Sequence, residues 1–242
     1  MSPYTIFLYF ITYAFMGWCC ETTYVSLAKR KFVNRGFMYG PLCPIYGFGA
    51  LLVLYVLEPF TGYPIIIFAL GMIVTSILEY FTSWLMEAIF HIRWWDYSTY
   101  KYNIKGRVCL KNSLMFGVLG LVVVYGIHPV VNGVIETIPE YIQITLGAIF
   151  LFVFVCDFAF STLGAINVDR ALVEIEKLSD EIQQNGEITR QKITKKLQSM
   201  IIKVEKRYNH FKKAYPGLEH NNFQFDRDII DEVIQKMKEF IK

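Results

Sequence analysis

Lysine and arginine are absent from three long stretches of this chain, residues 1–28, 36–92 and 112–169, and those stretches hold most of its apolar residues. The 24 basic residues stand instead in blocks: Lys29, Arg30, Lys31 and Arg35; then Arg93, Lys101, Lys105, Arg107 and Lys111; then the remainder from Arg170 to Lys242. About 20 apolar residues cross a bilayer as a helix, and backbone polar groups in lipid are satisfied only within such a helix or a closed barrel. The gaps hold five segments near that length: Tyr4–Leu27, Leu42–Leu57, Tyr63–Phe90, Ser113–Val131 and Tyr141–Ile166. With 54% hydrophobic and only 19% charged residues, the chain is neither disordered nor an ordinary soluble domain. The expected fold is all-α, a polytopic membrane protein with five transmembrane helices.

Basic residues mark cytoplasmic loops, and every block falls on one side if the N-terminus is outside and the C-terminus inside. The expected location is the cell membrane, multi-pass. Met1-Ser2-Pro3-Tyr4 lacks the basic start of a signal peptide, so the first span is expected to be retained. The expected division is a transmembrane domain over 1–168 and a cytoplasmic helical tail over 169–242. In the tail, Leu172 to Ile182, Ile193 to Phe211 and Ile229 to Ile241 carry apolar stripes at helical spacing. A hairpin or bundle packed on itself and an intermolecular coiled coil both fit those stripes. No nucleic-acid motif accompanies the basic clusters, and no CxxC or grouped histidines suggest zinc.

Four carboxylates lie within the apolar segments: Glu21, Glu79, Glu87 and Asp157. An ionised side chain at membrane depth is costly, so each is a functional candidate. Glu79, Ser83 and Glu87 are spaced i, i+4, i+8, within about 40° of one helical face. Arg35, Arg93 and Arg107 stand nearby in the same basic loops. Two outcomes fit: ion pairs that lock the helices, or a hydrated pocket in the cytoplasmic leaflet. Residues 35–49 add four glycines and two prolines to Arg35, a composition that breaks a helix. This stretch is either a re-entrant segment lining a cavity or an interfacial turn followed by a small-residue packing face.

At these residues the chain resembles the putative ABC-transporter type IV family, the CmpB-like membrane proteins. The resemblance rests on Gly17-Trp18 with Glu21, on Asn34-Arg35-Gly36-Phe37 with the run Gly40-Pro41-Leu42-Cys43-Pro44-Ile45-Tyr46-Gly47-Phe48-Gly49, and on Glu79-Tyr80 with Glu87. Trp95-Asp96-Tyr97-Ser98 and Asn103 with Gly106-Arg107 complete it. It implies a permease-like transport component. No G-x-x-x-x-G-K-[ST] loop is present, so there is no intrinsic nucleotide site and ATP hydrolysis would belong to a separate subunit. The pocket candidates are Glu21, Arg35, Tyr46, Glu79, Ser83, Glu87, Asp96, Asn103 and Arg107; Glu21, Glu79 and Glu87 would be the ligands of a divalent cation if one binds. Expected partners are membrane lipid and a second copy or partner subunit docking through the tail. An enzyme acting on a lipid headgroup, and a scaffold or sensor, stand as alternatives, with no H-E-x-x-H or G-x-S-x-G signature to favour catalysis.

Overall fold

The computed structural model describes residues 2–184, 206–211, 213–215 and 219–220, most of them helical. The second and third expected tail helices lie wholly or mainly outside these residues. Helix α1 (Pro3–Lys29) starts where Ser2 accepts the Thr5 N–H at 3.2 Å and Pro3 takes the first turn, where its missing N–H costs nothing. It ends at Arg30, whose left-handed φ of 49° folds its N–H back onto the Leu27 and Ser26 carbonyls. The order continues with α2 (Pro44–Leu57), a 3-10 turn at Glu58–Phe60, α3 (Pro64–Phe90), strands β1 (Ile92–Arg93), β2 (Asn103–Ile104) and β3 (Val108–Cys109), α4 (Leu110–Val122), α5 (His128–Thr137), α6 (Glu140–Gln184) and β4 (Glu219–His220).

Among the described residues, four helices are long and apolar enough to cross a membrane: Pro3–Lys29, Pro64–Phe90, Leu110–Thr137 and Glu140–Arg170. The third of these joins α4 to α5 through a π-helical turn at Val123–Ile127. Pro129 lacks the N–H owed to Tyr125, and the wider turn absorbs that break. At the expected second span the apolar helix is shorter than these four. Helix α2 has 14 residues, about 21 Å at 1.5 Å per residue, against a hydrocarbon core of roughly 30 Å.

The chain forms two compact units, Met1–Leu85 with Trp95–Ala159, and Met86–Trp94 with Phe160–Lys242. Helix α6 runs without a break through residues 168 and 169. In the first unit α1 and α2 pack antiparallel, with Gly47 of α2 so close to Phe10 that an added Cβ would meet the ring at 2.7 Å. Its core joins Leu8, Tyr9, Tyr13 and Ala50 to Val123 and Ile135. In the second unit β1 pairs antiparallel with β4, Ile92 opposite His220. Trp94 is 2% exposed there and meets Phe211 and Tyr215 edge-on, at 4.6 and 5.1 Å between ring centroids. Arg207, also buried, lies over the Phe211 ring at 4.2 Å and donates to the Ser161 carbonyl at 3.4 Å. The described part of the tail thus packs on the segment after α3 and on the later half of α6.

Candidate functional site

The site is set by how the chain returns from the end of α1. Past Arg30 the backbone is irregular to Cys43 and runs back along α1, tied to it at successive levels. The Val33 N–H bonds Ser26 Oγ at 3.0 Å, the Arg35 N–H bonds Thr22 Oγ1 at 3.3 Å, and Trp18 Nε1 donates to Asn34 Oδ1 at 2.6 Å. The Cys43 N–H then reaches the Ala14 carbonyl at 3.0 Å. From Lys29 to Ala14 is about 22 Å along a helix, so this leg reaches well into the apolar depth before α2 begins. Non-helical backbone survives there only when protein groups satisfy it. Asp157 of α6 does so, its two carboxylate oxygens accepting the Tyr39 and Gly40 N–H groups at 3.0 and 2.8 Å. Gly36 has φ +115°, open only to glycine. The expected irregular segment therefore divides: residues 35–43 are irregular, whereas 44–49 are helical, because Pro44 suits a first helical turn and the glycines that follow serve close packing.

Against this leg stand Glu21 and Glu79. Glu21 Oε2 pairs with Arg35 Nε at 3.3 Å and its Oε1 accepts the Tyr46 hydroxyl at 2.9 Å. Tyr46 reaches it because Gly17, one turn earlier on α1, leaves room for the ring; a Cβ on Gly17 would overlap it. Gly17→Ala is expected to destabilise the protein by about 1–3 kcal/mol through forced separation of α1 and α2. Thermal melts of Gly17→Ala with and without Tyr46→Ala check this: an equal loss in both backgrounds would show that the ring is not what the methyl meets.

Glu79 of α3 is 5% exposed. Its Oε1 accepts the Tyr97 hydroxyl at 3.2 Å, and the Asn112 side chain of α4 stands within hydrogen-bonding reach of the carboxylate. Its Oε2 is buried without a hydrogen-bond partner among the described residues. Glu21 lies within electrostatic reach of Glu79, Tyr46 and Tyr97. Burial, followed by the Glu79 charge, pushes the Tyr97 phenol well above its usual range, so it remains a donor. One turn beyond Glu79, buried Ser83 accepts from Arg107 at 3.3 Å, and that guanidinium sits 5.7 Å from the Tyr80 ring centre. The structure thus groups Glu21, Arg35, Tyr46, Glu79, Ser83 and Arg107 in the first unit.

Three expected members are placed otherwise. Asp96 accepts the Ser98 N–H and hydroxyl at 3.0 and 2.6 Å, and Asn103 bonds the Ser98 and Tyr100 carbonyls and the Gly106 N–H. Both fold the loop itself. Its hairpin pairs Ile104 with Val108 and turns through Lys105 and Gly106 at φ 52° and 68°. The Trp95 indole donates to the Arg107 carbonyl at 3.0 Å, which fixes where Arg107 leaves the turn. Glu87 belongs to the second unit, where it pairs with Arg93 at 3.6 Å. No group of three or more His, Cys, Asp or Glu among the described residues could hold a metal ion.

Sequence reasoning passed over Tyr97 and Asn112 as site members. It also missed a second polar group toward the other end of α1. There Tyr9 donates to Asn132 at 2.5 Å, Tyr13 bonds His128 Nδ1 at 2.8 Å and Thr5 donates to Gln143 at 2.8 Å. The spacing Thr5, Tyr9, Tyr13 by fours, facing His128 and Asn132 by fours, was the available signal.

Four apolar crossing-length helices, an irregular leg at apolar depth and carboxylates inside the helices define a multi-pass helical membrane protein. The chain belongs to the family described as Putative ABC-transporter type IV, which matches residues 8–162. No curated protein and no solved structure matches it.

Proposed function

We propose that the chain is the membrane-embedded, permease-like component of a transport system and takes a small cationic solute at the Glu21–Glu79 site. One observation carries the reading: Glu79 is almost wholly buried, bonded by the Tyr97 hydroxyl on Oε1, with Asn112 at hand but no close hydrogen bond on Oε2, and within electrostatic reach of a second carboxylate, Glu21. A buried acceptor with no close hydrogen bond is costly unless something fills it, and an ammonium or guanidinium group would bond that oxygen beside the Tyr97 ring. The N-terminus lies outside, the C-terminus inside, and the site opens toward the cytoplasmic side of the cell membrane. Any ATP hydrolysis comes from a partner subunit, since the chain has no phosphate loop.

The purified protein in phosphatidylcholine nanodiscs, melted with choline, methylammonium, agmatine or spermidine, tests this. At least one of them is expected to raise the midpoint of the wild type by a few degrees. Glu79→Gln keeps the shape and one acceptor but not the charge, and is expected to abolish that response at a nearly unchanged basal midpoint. A large loss of basal stability with the response intact would move Glu79 to a purely structural role; no response from any cation in the wild type would remove the solute reading. A reporter at Lys242 is expected on the inner face, and one found outside would overturn the orientation.

A further inference from the structure

Beside the carboxylate site, the outward face of α3 and the β2–β3 hairpin enclose a groove of about 380 Å³ walled by Ile77, Tyr80, Phe81, Trp84, Ile104 and Val108. Its lining is almost wholly apolar, and Ser76 Oγ is turned away to bond Ser113 at 2.7 Å. The α3 wall runs from Ser76 to Trp84, about 21 to 9 Å before the end of the helix, so the groove rises from within the apolar length toward its edge. The segment that supplies the hairpin wall is basic: Lys101, Lys105, Arg107 and Lys111 fall in residues 95–112 with one carboxylate, Asp96, and Lys105 and Arg107 are the sequence neighbours of the wall residues Ile104 and Val108. Arg107 rests over Tyr80, a wall of the groove, and Lys111 Nζ lies 5.6 Å from the Tyr100 ring centre. Tyr102 and Ile104 are 79% and 61% exposed on the same hairpin.

We propose that this groove is a binding site for one anionic phospholipid, its acyl chain along α3 and its phosphate against the basic residues of the 95–112 segment. The concave apolar wall fits a hydrocarbon chain, but any lipid supplies one. The basic hairpin supplies the selectivity, because basic residues near a membrane surface attract anionic headgroups and give a zwitterionic one no net attraction. Tyrosine and tryptophan at the mouth hold the hairpin at the interface.

The test is quenching of tryptophan fluorescence in nanodiscs by phosphatidylglycerol or phosphatidylcholine brominated on the acyl chain, titrated into unlabelled phosphatidylcholine. The component absent from Trp84→Phe reports the groove. Brominated phosphatidylglycerol is expected to occupy it about tenfold more readily than phosphatidylcholine. In Lys105→Gln/Lys111→Gln the preference is expected to fall to within about twofold. If that variant does not fold, the wild type decides alone, because a screened headgroup contact must weaken in about 0.5 M salt. Equal quenching by both lipids in the wild type overturns the proposal, as does a preference that survives both the substitution and the salt.

Discussion

Asp157→Ala is expected to lower stability by about 3–6 kcal/mol, because it strips two backbone N–H groups of a charged acceptor, each such bond being worth about 1.5–3 kcal/mol. The Tyr39 and Gly40 N–H groups have no helical neighbour to turn to, and at apolar depth no water replaces the lost oxygen. Asp157→Asn keeps one carbonyl oxygen and is expected to fall between wild type and alanine. Two measurements check this together: the thermal midpoint in detergent, and alkylation of Cys43, a free thiol only 5% exposed. If the leg depends on Asp157, Cys43 reacts faster in the alanine variant. A lowered midpoint with Cys43 still protected would show that Asp157 supports α6 rather than the leg. Gly40→Ala approaches the same contact from the other side, since an added Cβ would stand 2.7 Å from Asp157 Oδ2.

Trp94→Ala is expected to cost about 3–5 kcal/mol, the range for deleting a fully buried large aromatic. The loss should be felt locally, because the indole lies under Phe211 and Tyr215 in the second unit. Limited proteolysis is the informative readout: cleavage around residues 206–215 should accelerate. Trp94→Phe keeps part of the edge-on packing and should recover some protection. Unchanged proteolysis would mean that residues 206–215 are held by Arg207 and Ser161 without help from the indole.

The apolar runs and basic blocks located α1 and α3 to within two residues, because bilayer thickness leaves little freedom in length, while the third crossing helix runs six residues past its expected end. The same argument does not decide the second span. Leu42–Leu57 counts as apolar, but a run of about that length can cross or stop halfway, and which one occurs depends on tertiary bonds such as that from Cys43 to Ala14. Glycine and proline announced irregular backbone after Arg35 but not where it ends; Pro44 begins a helix, as in the reading of a turn followed by a small-residue packing face. Asp96 and Asn103 drew attention as polar residues in a motif; Asp96 two residues before Ser98 is equally the spacing of a side chain closing its own turn, which is what it does. Glu21 with Arg35 was legible as charge near charge. What Asp157 does was not, since its partners are backbone groups more than a hundred residues earlier, invisible to side-chain pattern.

Helix α2 and the leg before it also govern the order in which the chain is built. A full-length apolar helix enters the bilayer as it is made, since it satisfies its own backbone, and helices associate afterwards. The segment from Arg30 to Cys43 has no such autonomy: its amides are met by α1, already present, and by Asp157, which lies in the last crossing helix to be synthesised. Until that helix arrives, residues 39 and 40 have no native acceptor. Biogenesis therefore has a late step in which the second segment settles between its neighbours, and a ribosome-stalled chain ending before α6 should hold Cys43 open to membrane-permeant thiol reagents while the completed chain closes it.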